Sequence, residues 1–271
     1  MSPRDHANTR PLTRRLVVAA APRARETVLD IGCGVGALSA QIKRKVGARG
    51  LVIGIDRSEL LVATAKKRVR GAVFHCADAA TYSFAPVVFD LIASDFGLTF
   101  FADPVAAFAH LRGSLEPGGR LAFTCYGRTN AWLTTVIAAA RAVAPGWDPP
   151  ALDGPGPFAF RDRAVIARVL AGFTKVKIVS APLSEWLATD REHAAVMALA
   201  RPIVARLLAD LDDAARIRVL ERVERALGKY RVRGGYAFPA TAWLVTASAP
   251  RTAPASPSPG PSRTRPRRRR P

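Results

Sequence analysis

The chain has 271 residues, 49% of them apolar and 23% charged, enough to bury one sizeable core and to exclude fibrous, collagen-like and wholly disordered classes. A formal net charge of +20, from 41 Lys+Arg against 21 Asp+Glu, invites a polyanion partner such as nucleic acid. Most of the basic residues are arginine, in a chain also rich in Ala, Pro and Gly, and this composition by itself accounts for much of the excess.

The first fifteen residues lack the apolar run of a secretory signal. From residue 27 to about 125, short β-branched runs alternate with helical stretches, the pattern of βαβ units and a parallel sheet. TVLDI (27–31) reads as the first strand, followed by a helix over ALSAQIKRKV, the strand LVIGID (51–56) and a helix over SELLVATAKKRVR. AVFHC (72–76), VVFDLIAS (87–94), a helix from Asp103 to Leu115 and RLAFTCY (120–126) follow. Asp103 before Pro104 reads as a helix N-cap, and Pro117-Gly118-Gly119 as a turn. AWLTTVIAAARAV is read as a helix, then comes a long Pro/Gly-rich loop, PGWDPPALDGPGPF. A helix at 161–171 precedes the strand FTKVKIVS; residues 190–227 are mostly helical with a break at Pro202; TAWLVTAS (241–248) is the last strand. Residues 249–271 hold seven Arg, seven Pro, no acid and no aromatic or large aliphatic residue, which predicts a disordered basic tail and leaves +13 on the rest. Such a tail supports at most a weak, non-specific polyanion contact.

Cys33, Cys76 and Cys125 form no CxxC pair, so neither a disulfide framework nor a zinc cluster is expected. No run of about 18 apolar residues is present to span a membrane. A soluble, cytoplasmic protein is the expectation, as a monomer or a homodimer.

The densest motif is VLDIGCGVG, Val28 to Gly36, at the turn from the first strand into the first βα helix. Gly32, Gly34 and Gly36 let a ligand approach the backbone at the carboxyl end of the sheet, where open α/β folds bind ligands. The spacing Gly32-x-Gly34-x-x-Ala37 loosely fits a dinucleotide fingerprint, with Asp56 to hold a ribose. Asp30 favours a second reading, because a carboxylate beside the loop suits a ligand ammonium and repels a pyrophosphate. Asp56 ends the next strand, where it can accept from two ribose hydroxyls, and Asp78 follows the third, placed to accept from an adenine amino group. Three acids at three successive strand ends fit a cationic, adenosine-containing ligand.

These residues resemble the class I S-adenosylmethionine-dependent methyltransferases: D-x-G-x-G-x-G at 30–36 matches their first motif, and Asp56 and Asp78 their second and third. Residues 89–126 and the closing PATAWLVTAS resemble the subgroup of ubiquinone/menaquinone-biosynthesis C-methyltransferases. The likeness covers roughly 11–248, strong in the cofactor half (about 11–130) and weaker from 130 to 235. It implies a Rossmann-like, doubly wound, seven-stranded and mostly parallel sheet, with an inserted helical cap at about 183–235, in one methyltransferase domain over 1–248. It implies that Asp30 takes the methionine ammonium, that Gly32, Cys33 and Gly34 underlie the amino-acid portion and that Gly36 lets the helix pack close. Asp56 would hold the ribose, Asp78 and the Ala79 backbone would frame the adenine, and Ser94 would face the methionyl end. Arg57 departs from the apolar residue usual beside the ribose-binding acid; it would stack on the adenine or lie in solvent. Asp95, Phe96, Tyr126 and His193 are the candidates on the substrate side. Only about 26 residues precede the first strand, fewer than such enzymes carry, which implies a reduced lid, a start further upstream or completion of the site by a second chain.

The chemistry so implied is in-line methyl transfer from a positive sulfur to O or C of a small, largely apolar molecule such as a quinone or polyketide. Alignment of the partners and exclusion of water would supply most of the acceleration. A general base is optional, and neither a triad nor a metal is expected. No catalytic residue is singled out: His75 and His110 read as packing residues, His6 as terminal, and His193 as a base candidate in the cap. Cys33 reads as a small residue without a partner base. Two alternatives stay open: a nucleic-acid methyltransferase, against which ASDF lacks the Pro-Pro-aromatic signature of base amino-group methylation, and a non-catalytic cofactor-binding module.

Overall fold

Five parallel strands form the heart of the sheet: β1 (Thr27–Ile31), β2 (Leu51–Asp56), β3 (Val73–Cys76), β4 (Phe89–Asp95) and β5 (Leu115–Asn130). Two long strands complete it, β6 (Thr174–Ala188) and β8 (Gly235–Ser248), with β8 antiparallel to both β5 and β6. The order is β3-β2-β1-β4-β5-β8-β6, and the two-residue β7 (Arg231–Val232) adds a hairpin on β8. The computed structural model describes residues 5–152 and 154–251, with side chains from residue 11 onward. The expected seven-stranded, mostly parallel, doubly wound sheet is present, with β7 as an extra hairpin.

The double winding follows from the alternation of side chains along each strand. Leu29, Ile31, Ile92, Leu121, Phe123 and Cys125 enter one apolar layer, with α4 (Pro104–Gly113) and α6 (Arg163–Val169) against it. Val28, Val52, Leu91, Ala93 and Ala122 enter the other, under α1 (Asp5–Ala20) and α2 (Ala37–Val46). With α3 (Glu59–Arg68) against β2 and β3, both faces are covered. The short N-terminal segment is therefore a helix that covers the sheet: Leu12, Leu16, Val17 and Ala20 are buried, and their spacing places them on one face. Arg120 anchors its end, donating to the carbonyls of Ala20 and Ala21 and pairing with Glu26 at 2.7 Å.

The helices start where the sequence offers caps. Asp103 accepts from Ala106 N, Asn130 from Leu133 N, Asp190 from His193 N and Asp212 from Ala215 N. Pro202 opens a helix after the break, as its missing N–H allows.

The predicted cap boundaries need correction. Residues 183–188 are strand, because β6 continues to Ala188 in register with β8. The helical part comprises α7 (Arg191–Leu199), α8 (Pro202–Leu207) and α9 (Asp213–Ala226), which with α5 (Ala131–Val143) close a separate apolar cluster around Trp132, Val136, Val219 and Val223. At the other end Ala249 is 4% exposed, and its N–H donates to Gly119 O. The fold thus continues past the predicted boundary at 248, and the basic tail from residue 252 lies outside the described residues.

Candidate functional site

The loop after β1 is shaped by three positive φ angles, at Gly32 (66°), Gly34 (53°) and Gly36 (82°). The reason is contact as well as conformation. A Cβ on Gly32 would lie 2.7 Å from Gly97 Cα, and one on Gly36 would lie 2.8 Å from Val69 Cγ2. At Gly36 the close neighbours belong to the end of α3, Val69 and Ala65. The amides of Gly32 and Cys33 both donate to Ile55 O, tying the loop to the end of β2.

Three carboxylates converge behind and beside this loop. Asp30 lies on the α1/α2 face of β1 and is 1% exposed. Its Oδ2 accepts from Ser39 Oγ at 2.5 Å, while its Oδ1 is buried without a hydrogen-bond partner. Burial foremost pushes its pKa up to about 7; the Ser39 hydrogen bond opposes, and the nearby charges of Asp95 and Asp56 add to the rise. Asp56 accepts from Gly34 N at Oδ2 and from Ser58 N at Oδ1, both at 2.9 Å. Asp95, at the end of β4, accepts from Thr124 Oγ1 and from Thr13 Oγ1 of α1. The result is a row of three carboxylates with one buried carboxylate oxygen still unsatisfied, an arrangement that favours a bound cation.

The other predicted residues divide. Asp78 stands at the outer end of the row, half exposed, its Oδ1 on Ala80 N and its Oδ2 3.6 Å from Arg57 Nη1. Ala79 beside it is buried. The Arg57 side chain is 69% exposed, with Asp78 as a loose partner. Cys33 is buried against Gly54, and burial raises its thiol pKa far above the ordinary value, which leaves it an inert small residue. Ser94 is fully buried and its hydroxyl is used internally, donating to Ile31 O and accepting from Gly97 N. It ties β1 to the turn after β4, and a direct contact from that hydroxyl to a ligand is not what the geometry offers.

Of the residues expected on the substrate side, the structure brings Asp95, Phe96 and Tyr126 together and leaves His193 out. Phe96 adopts φ 64°, an unusual conformation for an aromatic residue and of the kind that gathers at functional sites. Its ring lies 4.9 Å from Tyr126, which lies 5.2 Å from Phe158 of the Pro/Gly-rich loop. Leu12 of α1 packs in the same cluster. His193 is exposed on the first turn of α7, in the helical part after β6, with its backbone N–H on the Asp190 cap, away from this cluster. His75 and His110 contact Tyr82 instead, on the opposite layer.

The sequence reading missed Ser39, Thr13, Thr124, Gly97, Glu185, Asn130 and Arg201. Ser39 had a local signal, nine residues after Asp30 on the following helix. The rest reach the site through tertiary contacts.

Residues 28–119 match the family model described as a methyltransferase domain. The chain is 39% identical over 119 residues to the aklanonic acid methyltransferase DauC of Streptomyces sp. (strain C5), covering 42% of this chain and 54% of that protein. It is 31% identical over 121 residues to the ubiquinone/menaquinone biosynthesis C-methyltransferase UbiE of Bdellovibrio bacteriovorus, covering 43% and 51%. The chain thus spans about half the length of these curated relatives. The solved structure of the YcgJ protein of Bacillus subtilis superposes with a TM-score of 0.57 at 17% identity, over 89% of this chain and 99% of that one, a likeness of fold.

Proposed function

We propose that this chain, which belongs to the class I S-adenosylmethionine-dependent methyltransferases through its domain at residues 28–119, transfers a methyl group in line to O or C of a small, largely apolar molecule. The observation that carries this reading is the unsatisfied Oδ1 of buried Asp30 beside the glycine loop, with Asp56 and Asp95 close enough to raise its pKa. A buried carboxylate oxygen left without a partner costs free energy in the free protein and is offset by a ligand ammonium.

The residues present fit the cofactor. Asp30 would hold the ammonium, and Gly32, Cys33 and Gly34 would admit the amino-acid portion against their backbone. Each oxygen of Asp56 accepts one backbone N–H and keeps a second lone pair, so the carboxylate can still take two ribose hydroxyls. Asp78 and the Ala79 backbone would border the adenine. S-adenosylmethionine, when bound, supplies an electrophilic methyl group on a positive sulfur. What the chain adds is alignment and dryness: Phe96, Tyr126, Phe158 and Leu12 form an apolar wall from which water is excluded.

Small-molecule methylation is favoured over nucleic-acid methylation by the aromatic, largely apolar cluster around Phe96 and Tyr126 and by relatives named for aklanonic acid and quinone biosynthesis. No helix among the described residues is long and apolar enough to cross a membrane. The test is calorimetric titration with S-adenosylmethionine of the native protein and of Asp30→Ala/Asp56→Ala, followed by incubation with methyl-labelled cofactor and a lipid-soluble extract. Equal affinity of the two proteins for the cofactor would end this reading, as would label recovered only in RNA.

A further inference from the structure

The carboxyl end of the sheet carries a second buried polar group that the proposed cofactor contacts leave unused. Glu185, near the end of β6, is 7% exposed. Its Oε1 accepts from the Tyr126 hydroxyl and from Arg201 Nη1 at 3.0 Å, and its Oε2 from Asn130 Nδ2 at 3.2 Å. Alternation along β6 explains its position: Ala181 and Leu183 share its side of the strand and pack with Leu12, Phe96 and Tyr126. A carboxylate is tolerable there because its charge is matched by Arg201 and both oxygens are satisfied. Arg201 is in turn held in place, its guanidinium 4.4 Å over the Trp132 ring, whose Nε1 donates to Ala198 O. The pair is neutral as a unit, and Tyr126 is the member that reaches the aromatic wall, between Phe96 and Phe158.

A phenol has one proton and two lone pairs. In Tyr126 the proton is committed to Glu185, and burial, with the Glu185 charge behind it, pushes the phenol pKa well above its ordinary value although Arg201 opposes, so the proton stays on. The Arg201 guanidinium also donates to the Tyr126 oxygen, so what remains for a ligand is the second lone pair of that oxygen, backed by a carboxylate. A molecule bringing its own hydrogen finds a partner there. One bringing a carboxylate meets a lone pair, and the cation behind it is already paired.

We propose that Tyr126, with its proton fixed by the Glu185–Arg201 pair, recognises the methyl acceptor and selects a neutral hydroxyl donor, a phenol or enol, over a carboxylate. Tyr126 contacts the acceptor; Glu185 is a positioning residue that sets the polarity of Tyr126. This rests on the methyl-transfer reading and names its substrate class.

The experiment titrates the full chain, with S-adenosylhomocysteine present, with naphthol and with naphthoate substituted at the same ring position. Native protein should bind naphthol at least about tenfold more tightly, one well-made hydrogen bond being worth that much. Tyr126→Phe should bring the ratio to within about threefold. Because removing Glu185 alone would strand Arg201, the companion variant is Glu185→Gln/Arg201→Met, in which the amide can turn the phenol proton towards the acceptor; its ratio should fall in the same way. Naphthoate binding as tightly as naphthol, binding of neither compound, or a ratio unchanged in Tyr126→Phe would each overturn the proposal, the last by showing that the cluster only braces the fold. Affinity for S-adenosylhomocysteine is read in the same titrations: retained, it leaves the cofactor reading standing whatever the ratio; lost in the native protein, it removes that reading first.

Discussion

Asp30→Asn isolates the charge on which the cofactor reading depends. Asp30 is fully enclosed and its pKa is raised from 3.8 to about 7 in the fold. The folded state therefore holds the proton more tightly than the unfolded chain, and the group's contribution to stability is present at low pH and lost as pH rises through about 7. Between about pH 5.5 and pH 8 the unfolded aspartate is ionised throughout while the folded one goes from protonated to charged. That difference costs the native protein about 2 kcal/mol, or roughly 4–8 °C in melting temperature for a domain of this size. Asparagine does not titrate. Its amide can still accept from Ser39, and whatever its NH2 group costs beside the vacant side of Asp30 is the same at every pH. Urea unfolding of both proteins at the two pH values, without ligand, measures the term directly. The native protein should lose about 2 kcal/mol more than the variant on going to the higher pH. Parallel profiles, agreeing within about 0.5 kcal/mol, would refute the buried, charge-strained Asp30 inferred here. Saturating S-adenosylhomocysteine, which keeps the ammonium, should flatten the native profile and leave that of the variant unchanged.

Three further outcomes follow from the geometry. Gly97→Ala places a methyl 2.5 Å from Ile31 O and 2.8 Å from Ser94 Oγ; spreading the β1 and β4 termini should cost about 1–3 kcal/mol by chemical denaturation and weaken cofactor binding more than tenfold. Leu16→Ala, at a fully buried position on α1, should cost about 2–5 kcal/mol and increase proteolysis within residues 5–20, because that helix is held to the sheet by its apolar face. Deleting 252–271, which carry six Arg and no acid, should reduce retention on a polyanion column and its salt dependence while leaving the melting temperature within about 1 °C; unchanged retention would place the relevant charge on the folded part.

The proposed cofactor side was legible because its determinants are local. Asp30 and three glycines lie within seven consecutive residues, Asp56 ends β2 and Asp78 follows β3, so chain order places them side by side in a parallel sheet. The substrate side was not. Thr13 reaches Asp95 across 82 residues, Tyr126 reaches Glu185 across 59, and Asn130 reaches it across 55. The expected strand FTKVKIVS ends at Ser180, two residues before Pro182, whereas β6 runs on to Ala188. At the edge of the sheet, where β6 lies, a proline removes no ladder bond on the open side, and the strand continues. The N-terminal helix had a visible apolar spacing at 12, 16, 17 and 20, obscured by Pro11 and the surrounding arginines.

The amino-acid sequence by itself determined the sheet, the glycine loop and the row of acids, since each depends on residue type at short separation. Only tertiary structure decided which of those acids is buried with an unmet oxygen, that Ser94 is consumed within the fold, that His193 faces solvent, and that Glu185 and Arg201 meet Tyr126. Burial and partner identity are properties of register between distant strands, and register is fixed when the whole sheet closes against its helices.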